Sequence, residues 1–292
     1  MRTIGFIGVG TMGAPMARNL VRSGFEVSVF DISPAALQSL VQDGARASSS
    51  AADAARAADG VISMLPNGEH VEDALFGPDG IAGALSGGAL YIDMSTIAPA
   101  TTDRHAELLR ERGFEMLDAP VGRSSQHAVD GKLLIMVGGA EAALARAMPV
   151  FEKLGDTIIH CGPVGAGARM KVVNNFMSIA LNVTTAEALT LAEASGLDPE
   201  LARRVMLGTA AGQGHMGTTY PAKVLKGDVS PGFMIDLAAK DLGLALDLAA
   251  SLSLPVPTGA AAKKIYQQAK EQGRGREDWT AIYAMLRAAR RV

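Results

Sequence analysis

The sequence has a single cysteine, Cys161, among its 292 residues. An intramolecular disulfide is therefore impossible, which is typical of proteins that fold in a reducing compartment. Because a lone cysteine in an apolar strand usually fills space in a core, we assign Cys161 no catalytic role. We expect a cytoplasmic protein.

The chain also lacks a large excess of positive or negative charge. The chain has 27 Lys and Arg against 30 Asp and Glu, a formal net charge of −3. This balance argues against a nucleic acid or a membrane surface as partner. Basic residues cluster only at Arg287, Arg290 and Arg291, where we expect a solvated helix end.

Long apolar runs and metal-ligand clusters are missing too. No stretch reaches the roughly 18 apolar residues that a membrane-spanning helix needs. The apolar run after Arg2 resembles a signal peptide in outline, but its four glycines would weaken the required helix, so we expect none. The five histidines are scattered without metal-ligand spacing, and we expect no metal site.

The first half of the chain alternates short β-rich runs with helical runs such as 15–23 and 34–43. The candidate strands are residues 3–7, 26–30, 60–65, 90–93, 114–117, 133–137 and 157–161. This alternation predicts an α/β domain with a doubly wound parallel sheet and helices on both faces. Such sheets bind ligands beyond the carboxyl ends of their strands.

The pattern changes at the Gly/Pro-rich segment 162–165. After it we predict helices at about 166–195, 199–208, 234–252 and 259–272, the first ending at Gly196. The sequence therefore predicts an α/β domain over 1–163 and an all-α domain over 164–292.

A glycine motif follows the first predicted strand. Gly8, Gly10 and Gly13 match G-x-G-x-x-G between that strand and a helix, the context of a Rossmann-type dinucleotide site. Gly8 permits a tight turn, Gly10 lets a pyrophosphate approach the backbone, and Gly13 lets the helix pack closely. The helix N-terminus then offers free N–H groups to the phosphates.

An acid stands at the end of the second predicted strand. Asp31 can accept hydrogen bonds from the adenosine ribose hydroxyls, and its charge would repel a 2′-phosphate. Ile32 and Ser33 supply no arginine to bind such a phosphate. The sequence therefore favours NAD over NADP.

The long helix after residue 165 carries one polar stripe. Lys171, Asn174, Asn175, Ser178 and Asn182 have the spacing i, i+3, i+4, i+7 and i+11, and the residues between them are mostly apolar. A solvated seam would favour Glu, Lys and Arg instead. We therefore predict a helix buried nearly all round, with its polar stripe facing a substrate cavity.

The stripe suggests a reaction. Hydride addition to an aldehyde develops negative charge on the carbonyl oxygen, which a lysine ammonium can stabilise and protonate. In the oxidative direction a neutral Lys171 removes the hydroxyl proton, and partial burial would lower its pKa toward the working range. Asn175, one turn away, can orient the lysine or the substrate.

The whole chain resembles the β-hydroxyacid dehydrogenase family. The motifs that carry the resemblance, in family order, are the N-terminal glycine segment, Met64-Leu65-Pro66, Asp93-Met94-Ser95-Thr96, Asp118-Ala119-Pro120-Val121, the Lys171–Asn175 segment, Gly232-Phe233 and Lys240-Asp241-Leu242. The resemblance implies a Rossmann-type domain, a helical domain and a homo-oligomer, dimer or tetramer, formed through the helical part. It implies that Lys171 is the catalytic lysine with Asn175 as its partner, and that Lys240 lies near the nicotinamide. Further implied cofactor contacts are Thr11, Met12, Leu65 with Pro66, and Thr96.

One segment departs from the family pattern. Most members follow the Asp-Ala-Pro-Val strand with Ser-Gly-Gly, whose backbone N–H groups hold a substrate carboxylate, whereas this chain has Gly122, Arg123 and Ser124. A guanidinium fork suits a three-oxygen anion such as a sulfonate. This variant resembles the 3-sulfolactaldehyde reductases of the family.

The resemblance implies NADH-dependent reduction of 3-sulfolactaldehyde to 2,3-dihydroxypropane-1-sulfonate. Arg123 would hold the sulfonate with help from Asn174, Asn175 and Ser178. An arginine also binds carboxylates, so a 3-hydroxy acid, tartronate semialdehyde or succinate semialdehyde with 4-hydroxybutyrate is the alternative substrate. A non-catalytic NAD-binding module is a further alternative, against which Lys171 and Asn175 argue.

Overall fold

The computed structural model describes residues 1–289, with only the backbone at Leu244. Arg290 and Arg291 of the basic cluster lie outside the described residues. The chain divides into two compact units, Met1–Phe176 and Met177–Val292. The domain boundary at 163/164 stays a prediction, and the two units are described separately below.

A nine-stranded sheet organises the first unit. Its strands are β1 (Thr3–Ile7), β2 (Glu26–Phe30), β3 (Arg46–Ala47), β4 (Gly60–Ser63), β5 (Leu90–Asp93), β6 (Glu115–Asp118), β7 (Val121–Gly122), β8 (Leu133–Gly138) and β9 (Gly155–Gly162). The parallel part has the order β3-β2-β1-β4-β5-β6. Strand β8 is antiparallel to β6 and β7 and parallel to β9.

The sequence predicted the sheet correctly at seven of these strands, and the α/β fold class is confirmed. It missed β3 and β7, since strands of two residues are too short to show a periodic pattern. The register pairs Ile7 with Phe30 and with Ser63, so the carboxyl ends of β1, β2 and β4 meet at one edge.

The helices of the first unit lie between its strands. They are α1 (Gly13–Arg22), α2 (Pro34–Gln42), α3 (Ala51–Ala55), α4 (Gly68–Phe76), α5 (Pro99–Glu111), α6 (Ser125–Val129), α7 (Glu141–Leu154) and the start of α8 (Ala166–Ala194). Neighbouring residues on one strand belong to different apolar clusters: Ile62 is in the cluster that contains Met16 and Leu20 of α1, whereas Val61 is in the cluster that contains Leu75 of α4. Both faces of the sheet are therefore covered, as predicted for a doubly wound sheet.

The second unit is helical apart from its connecting loops. Its helices, with the remainder of α8, are α9 (Pro199–Leu207), α10 (Ala210–Gln213), α11 (Thr219–Ala222), α12 (Ile235–Ser251), α13 (Pro257–Glu271) and α14 (Ile282–Ala288). The predicted helices correspond to α8, α9, α12 and α13. No helix among the described residues is both long and apolar enough to cross a bilayer.

Helix α8 contradicts one prediction. It was expected to be buried nearly all round, but Val173, Phe176 and Ile179 are 63%, 75% and 64% exposed. The prediction was wrong for the single chain. An apolar composition indicates that a helix packs against a partner, but it does not show that the partner belongs to the same chain.

Candidate active site

The glycine loop joins β1 to α1 at the carboxyl edge of the sheet. Gly8 has φ +88°, and a Cβ there would collide with the Met64 carbonyl oxygen. A Cβ on Gly13 would collide with the Gly8 carbonyl oxygen. A Cβ on Gly10, in contrast, would meet no protein atom within 4 Å. Glycine at position 10 is thus not required by the protein's own packing, and its bare backbone leaves room for a ligand.

The N-terminus of α1 lies directly behind this loop. Met12 precedes the helix and provides no side-chain cap. Ala14 N already donates to the Gly10 carbonyl oxygen at 2.9 Å, and Pro15 has no N–H, so the backbone N–H groups of Met12 and Gly13 are the donors that this end of the helix offers to an anion. Thr11 is exposed and Met12 is half-buried beside them. An uncapped N-terminus behind an open glycine loop fits the pyrophosphate of a dinucleotide cofactor.

Asp31 follows β2 and lies against the glycine loop. Its carboxylate accepts hydrogen bonds from Val9 N at 2.9 Å and from Ser33 N at 2.8 Å. These two bonds fix the carboxylate beside the loop and leave lone pairs for further donors. The next residue, Ile32, is exposed and uncharged. The position fits the ribose role expected of Asp31.

The loops after β4 and β5 are tied together by a buried polar chain. Leu65 N donates to Ser95 Oγ at 2.9 Å, and Ser95 N donates to Asp93 Oδ1 at 3.0 Å. Ser63 Oγ donates to the same Asp93 oxygen at 2.9 Å. Burial raises the pKa of Asp93. This chain fixes the positions of Leu65 and of Thr96, the residue after Ser95. Pro66 and Thr96 are exposed.

Lys171 lies in the part of α8 that belongs to the first unit. Its side chain is half-buried, and burial lowers the pKa of its ammonium, as the sequence predicted. Asn175 is one turn further along and also half-buried, and its Oδ1 accepts a hydrogen bond from Asn174 Nδ2 at 3.4 Å. Ser178 continues the stripe on the same helix, in the second unit.

Arg123 follows β7 and adopts φ +75°, a left-handed conformation that glycine tolerates best. Its Nη1 donates to Asp156 Oδ1 at 2.5 Å and to the Lys132 carbonyl oxygen, and its Nη2 donates to Thr157 Oγ1 at 3.1 Å. None of these partners is on α8. In this structure the guanidinium forms no hydrogen bond with Asn174 or Asn175, and the anion site that the sequence predicts from these three residues stays a prediction.

The residues flanking Arg123 have different environments. Gly122 is the buried last residue of β7. Ser124 is exposed, and its hydroxyl is within hydrogen-bond distance of His127 Nδ1 at 2.8 Å. In the second unit, Lys240 is an exposed residue of α12 whose Nζ forms an ion pair with Asp241 at 2.9 Å.

Sequence analysis assigned no role to two acids in the first unit. One is Asp156, the partner of Arg123. The other is Asp118, the last residue of β6, whose carboxylate accepts hydrogen bonds from Gly165 N and Ala168 N at the start of α8. Residues 163–165 contain no side chain that could cap α8, and this lack was a signal that the cap had to come from elsewhere.

Two family models together match nearly the whole chain. The NAD binding domain of 6-phosphogluconate dehydrogenase matches residues 3–162. The NAD-binding domain of NADP-dependent 3-hydroxyisobutyrate dehydrogenase matches residues 165–286.

Individual relatives give the same assignment. The chain is 49% identical to the 3-sulfolactaldehyde reductase of Escherichia coli K12, with 99% of this chain and 97% of that protein covered. It is 41% identical to an NAD-dependent L-serine dehydrogenase of Pseudomonas aeruginosa, with 98% of both covered. A structure of Mycobacterium tuberculosis 3-hydroxyisobutyrate dehydrogenase with L-serine has a TM-score of 0.69 at 37% identity, covering 98% of this chain and 99% of that one. The chain therefore belongs to the β-hydroxyacid dehydrogenase family and is a nicotinamide-dependent oxidoreductase that acts on CH–OH groups.

Proposed function

We propose that the protein reduces 3-sulfolactaldehyde to 2,3-dihydroxypropane-1-sulfonate with NADH. The observation that carries this proposal is the 49% identity to a 3-sulfolactaldehyde reductase over almost the full length of both proteins. Arg123 supports it, because a long cation occupies a left-handed backbone position of the kind that glycine tolerates best, and the resemblance stated above implies glycine there in the common family pattern.

Lys171 is the proposed acid/base group. A bound reduced nicotinamide supplies the hydride that adds to the aldehyde carbon. The Lys171 ammonium donates its proton to the carbonyl oxygen as negative charge develops there, and in reverse the neutral amine takes the hydroxyl proton. Burial lowers the pKa of Lys171, which brings the neutral form closer to neutral pH. Asn175 orients the lysine or the substrate.

The substrate anion is proposed to bind at Arg123. Further proposed contacts are Gly122, Ser124, Asn174, Asn175 and Ser178. Arg123 already donates to Asp156 through Nη1, so an incoming anion shares the positive charge of the guanidinium with that carboxylate and competes with it for Nη1. A sulfonate offers three oxygens to a planar fork of donors.

A carboxylate substrate is the second candidate, and one observation favours it. The Arg123 guanidinium binds the carboxylate of Asp156 through a single hydrogen bond, from Nη1 to Oδ1, so the same side chain also accepts a carboxylate oxygen as its partner. Candidate substrates are 3-hydroxyisobutyrate, tartronate semialdehyde and succinate semialdehyde.

The cofactor preference is proposed to be NADH over NADPH. Asp31 stands beside the glycine loop, and its charge would disfavour a phosphate on the ribose. Gly8, Gly10, Thr11, Met12 and Gly13 are proposed to hold the pyrophosphate. Leu65, Pro66 and Thr96 are proposed to contact the cofactor, with Lys240 near the nicotinamide.

A homo-oligomer is proposed on the exposed apolar residues of α8. Val173, Phe176 and Ile179 form part of an apolar surface of the kind that subunit interfaces cover. Sedimentation velocity tests this, with Ile179→Glu expected to dissociate the oligomer. A monomeric wild-type protein would contradict it.

Two variants test the enzymatic proposal. Lys171→Ala is expected to lose turnover while NADH binding, measured by fluorescence titration, is retained; unchanged turnover would exclude the lysine mechanism.

Arg123→Gly is expected to lower kcat/KM for 3-sulfolactaldehyde by about 100-fold, the effect of losing a buried or bidentate charged contact. Arg123→Lys, which keeps the charge and loses the fork, is the matched control and should fall in between.

A further inference from the structure

We propose that Asp118 is a positioning residue for catalysis. Its carboxylate holds the first turn of α8, and through that turn Lys171, against the carboxyl edge of the sheet. The inference rests on the proposed function, because it affects turnover only if Lys171 is the acid/base group.

Helix α8 begins without a cap of its own. The residues before it are Pro163, Val164 and Gly165, and none has a side-chain hydrogen-bond acceptor. The first N–H groups of a helix have no partners within the helix. Asp118 on β6 is the hydrogen-bond acceptor for two N–H groups here: its Oδ1 accepts from Gly165 N at 2.6 Å, and its Oδ2 accepts from Ala168 N at 2.7 Å. One carboxylate thus satisfies two backbone donors.

Asp118 is itself fixed by the sheet. In the strand register its backbone lies opposite Asp93 on β5 and Gly138 on β8, and the residue is only 2% exposed. A Cβ on Gly138 would collide with Asp118 Oδ1, and a Cβ on Gly167 would come within 3.0 Å of Oδ2. The two glycines therefore let the strand and the helix approach closely enough for direct bonds. Asp118 is a rigid support for the helix.

The only other polar contact between α8 and an element of the sheet domain among residues 1–176 is weaker. Arg169 donates to the Asp103 carboxylate on α5 at 3.0 and 2.5 Å, but both side chains are about half exposed. Exposed ion pairs hold a helix in place only slightly. Among the polar contacts of the first turn of α8, those to Asp118 are therefore the main ones, and they add to the close packing of Gly167 against the backbone of β8.

The support acts on Lys171 through the helix. Ala168 precedes Lys171 by three residues, so the two lie on the same face one turn apart. If the first turn is released, Lys171 moves relative to the sheet edge, and displacements of about 1 Å can reduce turnover by about 100-fold. Water also gains access to Lys171. Since burial lowers the pKa of its ammonium, that pKa then rises toward the ordinary lysine value.

Asp118→Asn tests the proposal, with Asp118→Ser as a second variant of different size. The matched control is Asp59→Asn, because Asp59 also accepts from two backbone N–H groups, those of Arg2 and Thr3, but at the opposite edge of the sheet. All are assayed in both directions at temperatures well below each variant's Tm, beside Lys171→Ala.

We expect kcat of the Asp118 variants to fall by about 10- to 100-fold with KM for NADH unchanged. The rising limb of the pH profile for alcohol oxidation should move to higher pH, an effect that a loss of stability alone does not produce. Asp59→Asn should keep the wild-type kcat and limb. Wild-type kcat in the Asp118 variants, or a lower kcat with an unmoved limb, would overturn the proposal. If Lys171→Ala itself keeps its turnover, the lysine mechanism fails instead.

Discussion

Arg123 donates a hydrogen bond from Nη1 to Asp156 Oδ1 at 2.5 Å, across 33 residues of sequence. The Thr157 hydroxyl and then the Arg123 guanidinium lower the pKa of Asp156, which keeps the carboxylate charged. The residue proposed to bind the substrate anion therefore already has an anionic partner within the protein.

Asp156 should compete with the substrate for Arg123. We expect Asp156→Asn to lower KM for the anionic aldehyde by about two- to five-fold, the range that an exposed ion pair supports. Steady-state kinetics check this. Asp130→Asn is the control, because Asp130 is an exposed acid that accepts only from Gln126 in the same region. A higher KM in Asp156→Asn would show that Asp156 orients Arg123 and does not compete.

Gly10 and Gly13 should respond differently to alanine. Gly13→Ala places a methyl group on the Gly8 carbonyl and is expected to destabilise the protein by about 1–3 kcal/mol. Gly10→Ala meets no protein atom, so its Tm should stay near the wild-type value while KM for NADH rises. Thermal denaturation and kinetics measure both. A Gly10→Ala variant with unchanged NADH binding would argue against a pyrophosphate at this loop.

Asp31 should determine the cofactor preference. We expect kcat/KM to be at least about 100-fold higher with NADH than with NADPH, since like charges in contact cost several kcal/mol. Asp31→Ser combined with Ser33→Arg should shift the ratio toward NADPH. Glu26→Gln, at the other end of β2, serves as the control. Equal use of both cofactors by the wild type would contradict the role of Asp31.

Lys171 should give the two reaction directions opposite pH dependence. Burial lowers the pKa of its ammonium. Aldehyde reduction needs the protonated form, so its rate falls as pH rises through this pKa, whereas alcohol oxidation needs the neutral amine and its rate rises. The midpoints of both pH-dependent limbs should lie below the ordinary lysine pKa of about 10.4. Lys171→Arg, which stays charged, should abolish oxidation. Limbs at or above that value would be inconsistent with a buried lysine base.

Local patterns in the sequence were sufficient to predict which elements carry several of the candidate site residues, whose roles stay predictions. The glycine loop and Asp31 could be predicted because strand, turn and helix follow each other within 31 residues. The spacing of Lys171 and Asn175 likewise required only that α8 be a helix.

Contacts between distant segments could not be predicted in the same way. The sequence spacing between Arg123 and Asp156, or between Asp118 and Ala168, carries no signal until the sheet brings these residues together. The exposure of Phe176 was missed for a related reason, since burial depends on what packs against a helix and not on its composition.

The substrate claim is tested most directly by comparing kcat/KM for 3-sulfolactaldehyde with the values for tartronate, methylmalonate and succinate semialdehydes, all with NADH. We expect 3-sulfolactaldehyde to be preferred by at least about ten-fold, a difference that one well-placed charged contact supplies. Arg123→Gly should remove that preference. A carboxylate substrate that is turned over more efficiently, or a sulfonate preference that survives in Arg123→Gly, would contradict the proposed function.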